Sequence, residues 1–436
     1  MKQDTLPFEI PSLFELLCTT TTLSKAFKEV KKNKGAPGID GVTVEDFEKT
    51  KIKELAQLQK ELSNWSYKPS PVRRIEIEKP SGGVRLLGVP CIRDRIVQAG
   101  IKILLEPILE AQFSDNSFGF RPKRNQRQAV EQAKKIVESG KPYVVDIDLS
   151  KFFDTINHDR LITQLGKHIN DKRILRLIGM TLRSGIMKDG EIIASTEGAT
   201  QGSPLSPLLS NVVLDELDKE LERRGLEFCR FADDCNIFTK TQKAAERVMQ
   251  NISKFIENTL HLVVNREKSK VALSNQVKFL GMTIINATIA ISRKAMDHAM
   301  NKVKELTPRG TSLTLRDTIE EINSWYVGWS GYFSMTQFPA QLGKIEAHIR
   351  RRLRSRIVSQ QKRRRYLYNK LIARGVNHVT VTRDVYSHRK RWAMSHTRAV
   401  EKAYPNKWFE DTLGFKVRSK DELPHWFSVK KWVYLT

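Results

Sequence analysis

The chain has 436 residues, 40% of them hydrophobic, which is enough for roughly two to four domains with sizeable cores. Its 75 Lys and Arg against 49 Asp and Glu give a net charge of +26, a balance that favours a polyanionic partner, nucleic acid first. No apolar run nears the ~20 residues of a membrane-spanning helix. Residues 1–10 lack signal-peptide character, and the four cysteines form no Cys-x-x-Cys pair. Membrane, zinc-ribbon and disulfide-scaffold classes are therefore not expected, and a reducing, cytoplasmic location is.

In chain order, Leu13, Leu16, Leu17, Leu23, Phe27 and Val30 recur at helical spacing and predict one helix over 10–33. The loop Gly35-Ala36-Pro37-Gly38-Ile39-Asp40-Gly41 ends it, and a second helix is expected over 44–62. Residues 72–78 and 84–90 read as strands joined by the turn Lys79-Pro80-Ser81-Gly82-Gly83, a hairpin that carries Arg73, Arg74, Lys79 and Arg85. Such charges serve a solvated sheet edge equally well. A helix over 94–113 leads to Ser117-Phe118-Gly119-Phe120-Arg121-Pro122, whose aromatics and arginine suit either core plugs or nucleic-acid contacts. Further helices are predicted over 125–140, 160–184, 208–224 and 243–260, a hairpin at Asp189-Gly190, and a strand over 276–282.

The chemistry-bearing residues lie between these elements. Tyr143 to Leu149 alternates with period two, so Asp146 and Asp148 share one face and Val145, Ile147 and Leu149 the other. Two Asp on one face of a buried strand are unfavourable without a cation or hydrogen bonds. Further on, Arg230-Phe231-Ala232-Asp233-Asp234-Cys235-Asn236 reads as a hairpin whose turn carries adjacent carboxylates. Asp is a common turn former, so the pair alone is a weak motif. With a strand Asp it becomes a three-carboxylate constellation, which can hold two Mg²⁺ ions about 3.5–4 Å apart for in-line phosphoryl displacement. In the intervening Gly198-Ala199-Thr200-Gln201-Gly202-Ser203-Pro204 turn, Gly202 lets a ligand approach the backbone closely. On so basic a chain the natural reaction is nucleotidyl transfer or nuclease cleavage, and these pieces together favour polymerisation.

From about residue 294 helical patterns dominate. Nine of the sixteen residues from 350 to 365 are basic: Arg350, Arg351, Arg352, Arg354, Arg356, Lys362, Arg363, Arg364 and Arg365. Ile349, Leu353 and Ile357 interleave at helical spacing, so one face is expected to pack and the other to be strongly positive. With Trp325, Tyr326, Trp329, Tyr332, Phe333, Tyr366 and Tyr368 nearby, a polynucleotide groove is favoured over a merely solvated face. Residues 387–436, with Trp392, Trp408, Trp426 and Trp432, read as a small basic and aromatic appendage.

The order of these motifs resembles the reverse transcriptases encoded by bacterial group II introns, over nearly the whole chain. The residues that carry the resemblance are Lys79-Pro80-Ser81-Gly82-Gly83-Val84-Arg85, Gly119-Phe120-Arg121-Pro122, Asp148 through Phe152-Phe153-Asp154, Gln201-Gly202-Ser203-Pro204-Leu205-Ser206-Pro207, Phe231-Ala232-Asp233-Asp234 and Phe279-Leu280-Gly281. It implies an α/β (α+β) right-hand polymerase fold with fingers, an antiparallel palm and an α-helical thumb. The expected parts are an N-terminal extension (1–70), fingers and palm (71–290), a maturase-like thumb (291–375) and a DNA-binding-like segment (376–436). In the family the first palm Asp precedes an aromatic steric gate by five positions, and Asp148 and Phe153 satisfy that offset while Asp146 does not. The resemblance thus implies catalytic and metal roles for Asp148, Asp233 and Asp234, with the Leu149 carbonyl as a further ligand and Asp146 as the alternative. Phe153 would exclude a 2′-OH, Gln201 and Gly202 would contact nucleotide or template, Lys79 and Arg85 would hold the triphosphate, and Lys270, ahead of Lys268, would stand near the leaving pyrophosphate. Arg121, Arg350, Arg351, Arg352, Arg354, Lys362, Arg363 and Arg364 are the expected nucleic-acid contacts.

Two departures from the family pattern stand out. Phe231 occupies a position that is usually Tyr, and no His-Asn-His or paired-Cys endonuclease pattern follows the thumb, as in the endonuclease-lacking class. The expected activity is RNA-directed DNA polymerisation with two Mg²⁺ ions, Mn²⁺ being the substitute. The expected partners are RNA template and primer, dNTPs, group II intron RNA and a DNA target, in a monomer or a homodimer. A host-adapted reverse transcriptase in repair or defence, and an RNA-binding splicing maturase with little polymerase activity, are the competing readings.

Overall fold

The structure, a computed structural model, describes residues 11–78, 84–188, 190–308, 310–387 and 390–418, with Arg85 described by its backbone alone. Lys79, Asp189, Arg389, Trp426 and Trp432 lie outside the described residues. The chain forms two compact units, 1–273 and 274–436.

The first unit is built on a palm-like sheet of β3 (Tyr143–Ile147), β6 (Glu227–Phe231), β7 (Asp234–Thr239) and β8 (Lys270–Leu273), ordered β6-β7-β3-β8 with every pair antiparallel. The alternation expected of β3 is present: Val145 and Ile147 are buried in the core, whereas Asp146 and Asp148 are only half-buried. Helices Gln126–Glu138 and Gln242–Asn258 pack on this sheet through buried Ala133, Ile136, Ile252 and Ile256. A second sheet, ordered β2-β1-β4-β5, joins the β1–β2 hairpin (Val72–Glu78, Val84–Val89) to the short β4–β5 hairpin (Ile186–Lys188, Glu191–Ile193) through a parallel β1–β4 pairing. Cys18, Cys91, Cys229 and Cys235 are free thiols, all buried.

Several expected helices are broken by caps. Residues 10–33 form two helices, Leu13–Leu17 and Thr20–Lys32, because the Thr19 side chain accepts the Thr22 amide and starts a second helix. Residues 44–62 divide at Thr50 into Val44–Lys49 and Lys51–Ser63, here with no side-chain cap bond at the break. Residues 160–184 divide into His158–Gly166 and Lys172–Leu182, the latter capped by Asp171.

In the second unit, the strand expected over 276–282 is absent. Leu280 and Gly281 adopt φ of 52° and 79°, which turns the chain tightly before β9 (Met282–Ile285) and β10 (Thr288–Ile291). A Cβ on Gly281 would lie 3.0 Å from the Phe333 ring, and Tyr332 donates to the Leu280 carbonyl at 2.9 Å. The β10 edge is closed by side-chain amides: Gln337 Oε1 accepts from Ile289 N at 2.9 Å, Gln341 Oε1 accepts from Ile291 N at 2.8 Å, and Gln341 Nε2 donates to Ile291 O at 2.9 Å. This hairpin, grouped by sequence with the palm, therefore packs with helices Leu315–Phe333 and Ala340–Gln360. Residues 390–418 are no appendage either: Met394, Val400, Tyr404, Phe409 and Phe415 share one core with Tyr326, Ile345, Ile349 and Leu353.

Candidate polymerase active site

The acid-bearing turn is short. Phe231 pairs with Asp234, so Ala232 and Asp233 are the two turn residues, and Ala232 takes a φ of 57° that a side chain with a Cβ rarely adopts. Arg230 holds it there. Its guanidinium, fully buried, donates to the Ala232 carbonyl at 2.9 Å, to Asn211 Oδ1 at 3.0 Å and to Asp218 at 2.7 and 2.5 Å. The Asn211 amide in turn donates to the Gly119 carbonyl at 2.9 Å. Gly119 lies so close to the turn that a Cβ there would meet Ala232 N at 2.2 Å, while Arg230 and Phe118 exchange backbone bonds with the 116–118 loop and β6. Sequence reasoning missed Arg230, Asn211 and Asp218, which sit behind the turn. An arginine flanked by apolar strand residues was the one signal of them.

Asp148 stands immediately after β3. The last registered pair on the neighbouring strands is Ile147 with Cys235, and one residue beyond it along each strand direction are Asp148 and Asp234. The backbone of Asp148 is fixed from the 263–269 segment: its N–H donates to Ser269 Oγ at 3.0 Å and its carbonyl accepts from Asn265 at 2.9 Å. The Leu149–Val264 bridge is made by the neighbouring 148 and 150 groups and does not use the Leu149 carbonyl. Asp146, the alternative acid, sits in register with Asn236 and with Lys270. Lys268, the less favoured lysine, places its ammonium 3.8 Å from Asp148 Oδ1. As the side chains stand, no group of three or more His, Cys, Asp or Glu among the described residues is gathered closely enough to hold a metal ion.

A cleft of about 1090 Å³ opens beside the turn. Its lining includes Asp233, Phe153, Gln201 and Gly202, together with Lys25, Lys28 and Lys102. Gly202, at φ 111°, lies against β2: a Cβ there would be 2.7 Å from the Gly88 carbonyl, and Gly88 N donates to the Gln201 carbonyl at 2.8 Å. The turn is also tied down by Ser203 Oγ, which donates to buried Gln98 at 2.8 Å. Arg95 lines the cleft from below, donating to the Pro90 carbonyl at 2.8 Å, and burial lowers its pKa. The three lysines come from helices whose periodicity marked them only as amphipathic, so sequence reasoning did not place them here. Of the expected triphosphate contacts, Lys79 and the Arg85 side chain lie outside the described residues.

The expected nucleic-acid contacts divide sharply. Arg121 is not one. Its side chain is 3% exposed and donates to Glu110 and to the Ser114 and Ser117 carbonyls, so it braces the loop. In the second unit, Arg350 and Arg354 are buried as well; Arg354 donates to the Tyr404 carbonyl and Asn406, and burial lowers the pKa of both. Arg352 bonds Thr307, and Arg351 lies over the Trp392 ring at 4.4 Å. The packing face of Ile349, Leu353 and Ile357 thus takes in arginines too. Lys362, Arg363, Arg364 and Arg365 are exposed. Among the described residues, no helix is long and apolar enough to cross a membrane.

The chain matches the reverse transcriptase (RNA-dependent DNA polymerase) family over residues 77–284 and the group II intron, maturase-specific domain over residues 296–373. It is 32% identical over 317 residues to Protein YkfC of Escherichia coli (strain K12), an alignment that covers 63% of this chain and 83% of that protein. It is 34% identical over 256 residues to the group II intron-encoded protein LtrA of Lactococcus lactis subsp. cremoris, covering 58% of this chain but only 41% of that one. Among solved structures, a chain of a partial Cas6-RT-Cas1–Cas2 complex is 26% identical, with a TM-score of 0.38, over 57% of this chain and 43% of that chain. With a polymerase domain followed by a maturase-specific domain, the chain belongs to the reverse transcriptases of the group II intron-encoded type.

Proposed function

We propose that this chain adds deoxynucleotides to a primer 3′-OH on an RNA template and also binds group II intron RNA to assist splicing and mobility. The observation that supports it most is a single cleft lined by Asp233, Phe153, Gln201, Gly202 and three lysines drawn from distant parts of the sequence. Asp148, Asp233 and Asp234 are hard oxygen donors suited to Mg²⁺, and the register that brings Asp148 and Asp234 to one sheet end fits a shared ion, with the Leu149 carbonyl as a further donor. Two such ions would supply a lowered pKa at the attacking hydroxyl and charge neutralisation at the leaving pyrophosphate.

The chain's own residues do the rest. Phe153 limits room at the sugar 2′ position. The Gln201 and Gly202 backbone, anchored to β2, forms the floor under the base pair. Lys79 and Arg85 hold the triphosphate, and Lys268 and Lys270, on the segment that fixes Asp148, offer positive charge to the departing phosphates. Unit 1 supplies the N-terminal extension, fingers and palm. Unit 2 supplies the thumb and a C-terminal segment that binds nucleic acid, intron RNA and a DNA target included. The buried free thiols support a reducing compartment such as the bacterial cytoplasm.

Primer extension on an RNA template with dNTPs and Mg²⁺ tests the reading. The Asp233→Ala variant is expected to lose extension by on the order of a thousandfold or more while still binding RNA. Unimpaired extension by that variant would remove the metal assignment. RNA binding with no extension by the wild-type chain would favour the splicing reading instead.

A further inference from the structure

His158 belongs to no role assigned above, yet it is buried at 2% exposure. It opens helix His158–Gly166, and its Nε2 lies 2.7 Å from the Gly198 carbonyl. A carbonyl only accepts, so Nε2 carries the hydrogen and donates. Nδ1 is buried and meets no polar partner among the described residues. The ring is therefore placed for this one bond.

What the bond holds is the strap between the gate and the nucleotide turn. Gly198 N donates to the Ile156 carbonyl at 2.8 Å, and Ala199 N donates to the Phe153 carbonyl at 2.6 Å. Asn157 and Glu197 add an isolated bridge. Gly198 sits at φ 90°, and a Cβ there would come within 3.0 Å of the Asp154 carbonyl and 3.1 Å of the Phe153 carbonyl. Two residues beyond Ala199, the Gln201 carbonyl is fixed to Gly88 of β2. The strap is thus pinned to the second sheet at one end and to the gate segment at the other, and His158 contributes the side-chain bond that closes the gate end.

We infer that His158 is a positioning residue for sugar discrimination. By holding Gly198 it fixes the Phe153 backbone relative to Gln201 and Gly202, and with it the space left for a 2′ substituent. Steric exclusion depends steeply on position, since a misplacement of about 1 Å can change a rate roughly a hundredfold. The inference rests on the polymerase reading above.

The test is single-nucleotide incorporation on an RNA template, comparing kcat/KM for a dNTP and the matched rNTP. His158→Met fills the volume without the donor, and it is expected to lower the dNTP-over-rNTP ratio by roughly tenfold. His158→Gln keeps an amide donor where Nε2 stands, and it is expected to stay within about twofold of wild type. A His158→Met enzyme that is slower with both substrates in proportion, its ratio unchanged, overturns the inference. Should that variant not fold, Gly198→Ala pushes the same strap from the other side. The same drop in ratio is then expected, and an unchanged ratio overturns the inference equally. A wild-type chain that incorporates neither substrate overturns the polymerase reading itself, before any variant is compared.

Discussion

At Arg230 a full positive charge has no exposed side-chain surface, and neither has Asp218 opposite it. Burial opposes the charge, but Asp218 foremost, with Cys235 and Asp215 adding to it, offsets that and the arginine pKa is raised. Removing one partner of such a pair leaves the other charge buried and uncompensated, which costs about 3–5 kcal/mol. Arg230→Met is expected to destabilise the chain by that order in urea unfolding. The Arg230→Met, Asp218→Leu double variant should recover much of the loss while extension stays impaired, because the Ala232 carbonyl has still lost its donor. Asp233 and Asp234 stood out in the sequence because adjacent carboxylates between apolar runs need an explanation. Arg230 did not, since its partners lie 12 and 19 residues away on a helix and only the fold brings them together.

Helix Ser206–Arg223 shows what a single element adds. Near its end, Arg223 and Arg224 bond Glu220 at 2.7 Å through their Nε atoms. Arg223 first, then Arg224, pull the Glu220 carboxyl from 4.5 down to about 2, against a smaller opposing effect of burial. A carboxylate with a depressed folded pKa stabilises above its ordinary value and loses that contribution as pH falls through the folded value. The Tm difference between wild type and Glu220→Gln should therefore be full near pH 7 and shrink between pH 5 and about 2. The group lies at the surface, so the full effect is expected below about 1 kcal/mol. Elements of this type were largely legible from periodicity, whereas their breaks were not. Thr19 and Asp171 restart helices at positions where the apolar spacing carries on unbroken, because both halves pack into one core. The 276–282 segment failed as a strand for the opposite reason. Its apolar residues are there, but two successive left-handed residues fold it back.

For the whole molecule, the charge of +26 is not spread evenly in its consequences. Arginines 350 and 354 are structural, and neutralising them is expected to lower Tm rather than RNA affinity alone. Neutralising Lys362, Arg363, Arg364 and Arg365 leaves the core untouched, and it should reduce the slope of log affinity against log salt by up to about 3 for single-stranded RNA. An unchanged slope in a filter-binding series would show that these four side chains make no phosphate contact. Composition announced a polyanion partner, but it had no means of separating the inward arginines of helix Ala340–Gln360 from the outward basic residues that follow it.

The burial of Cys18, Cys91, Cys229 and Cys235 also bears on how motion in this chain can be watched. With every native thiol shielded, and the two in the acid-bearing hairpin pushed up in pKa by burial, maleimide chemistry has little to react with in the folded chain. A single cysteine placed on an exposed position such as Lys362 would then take a fluorophore selectively, without first stripping the natural ones.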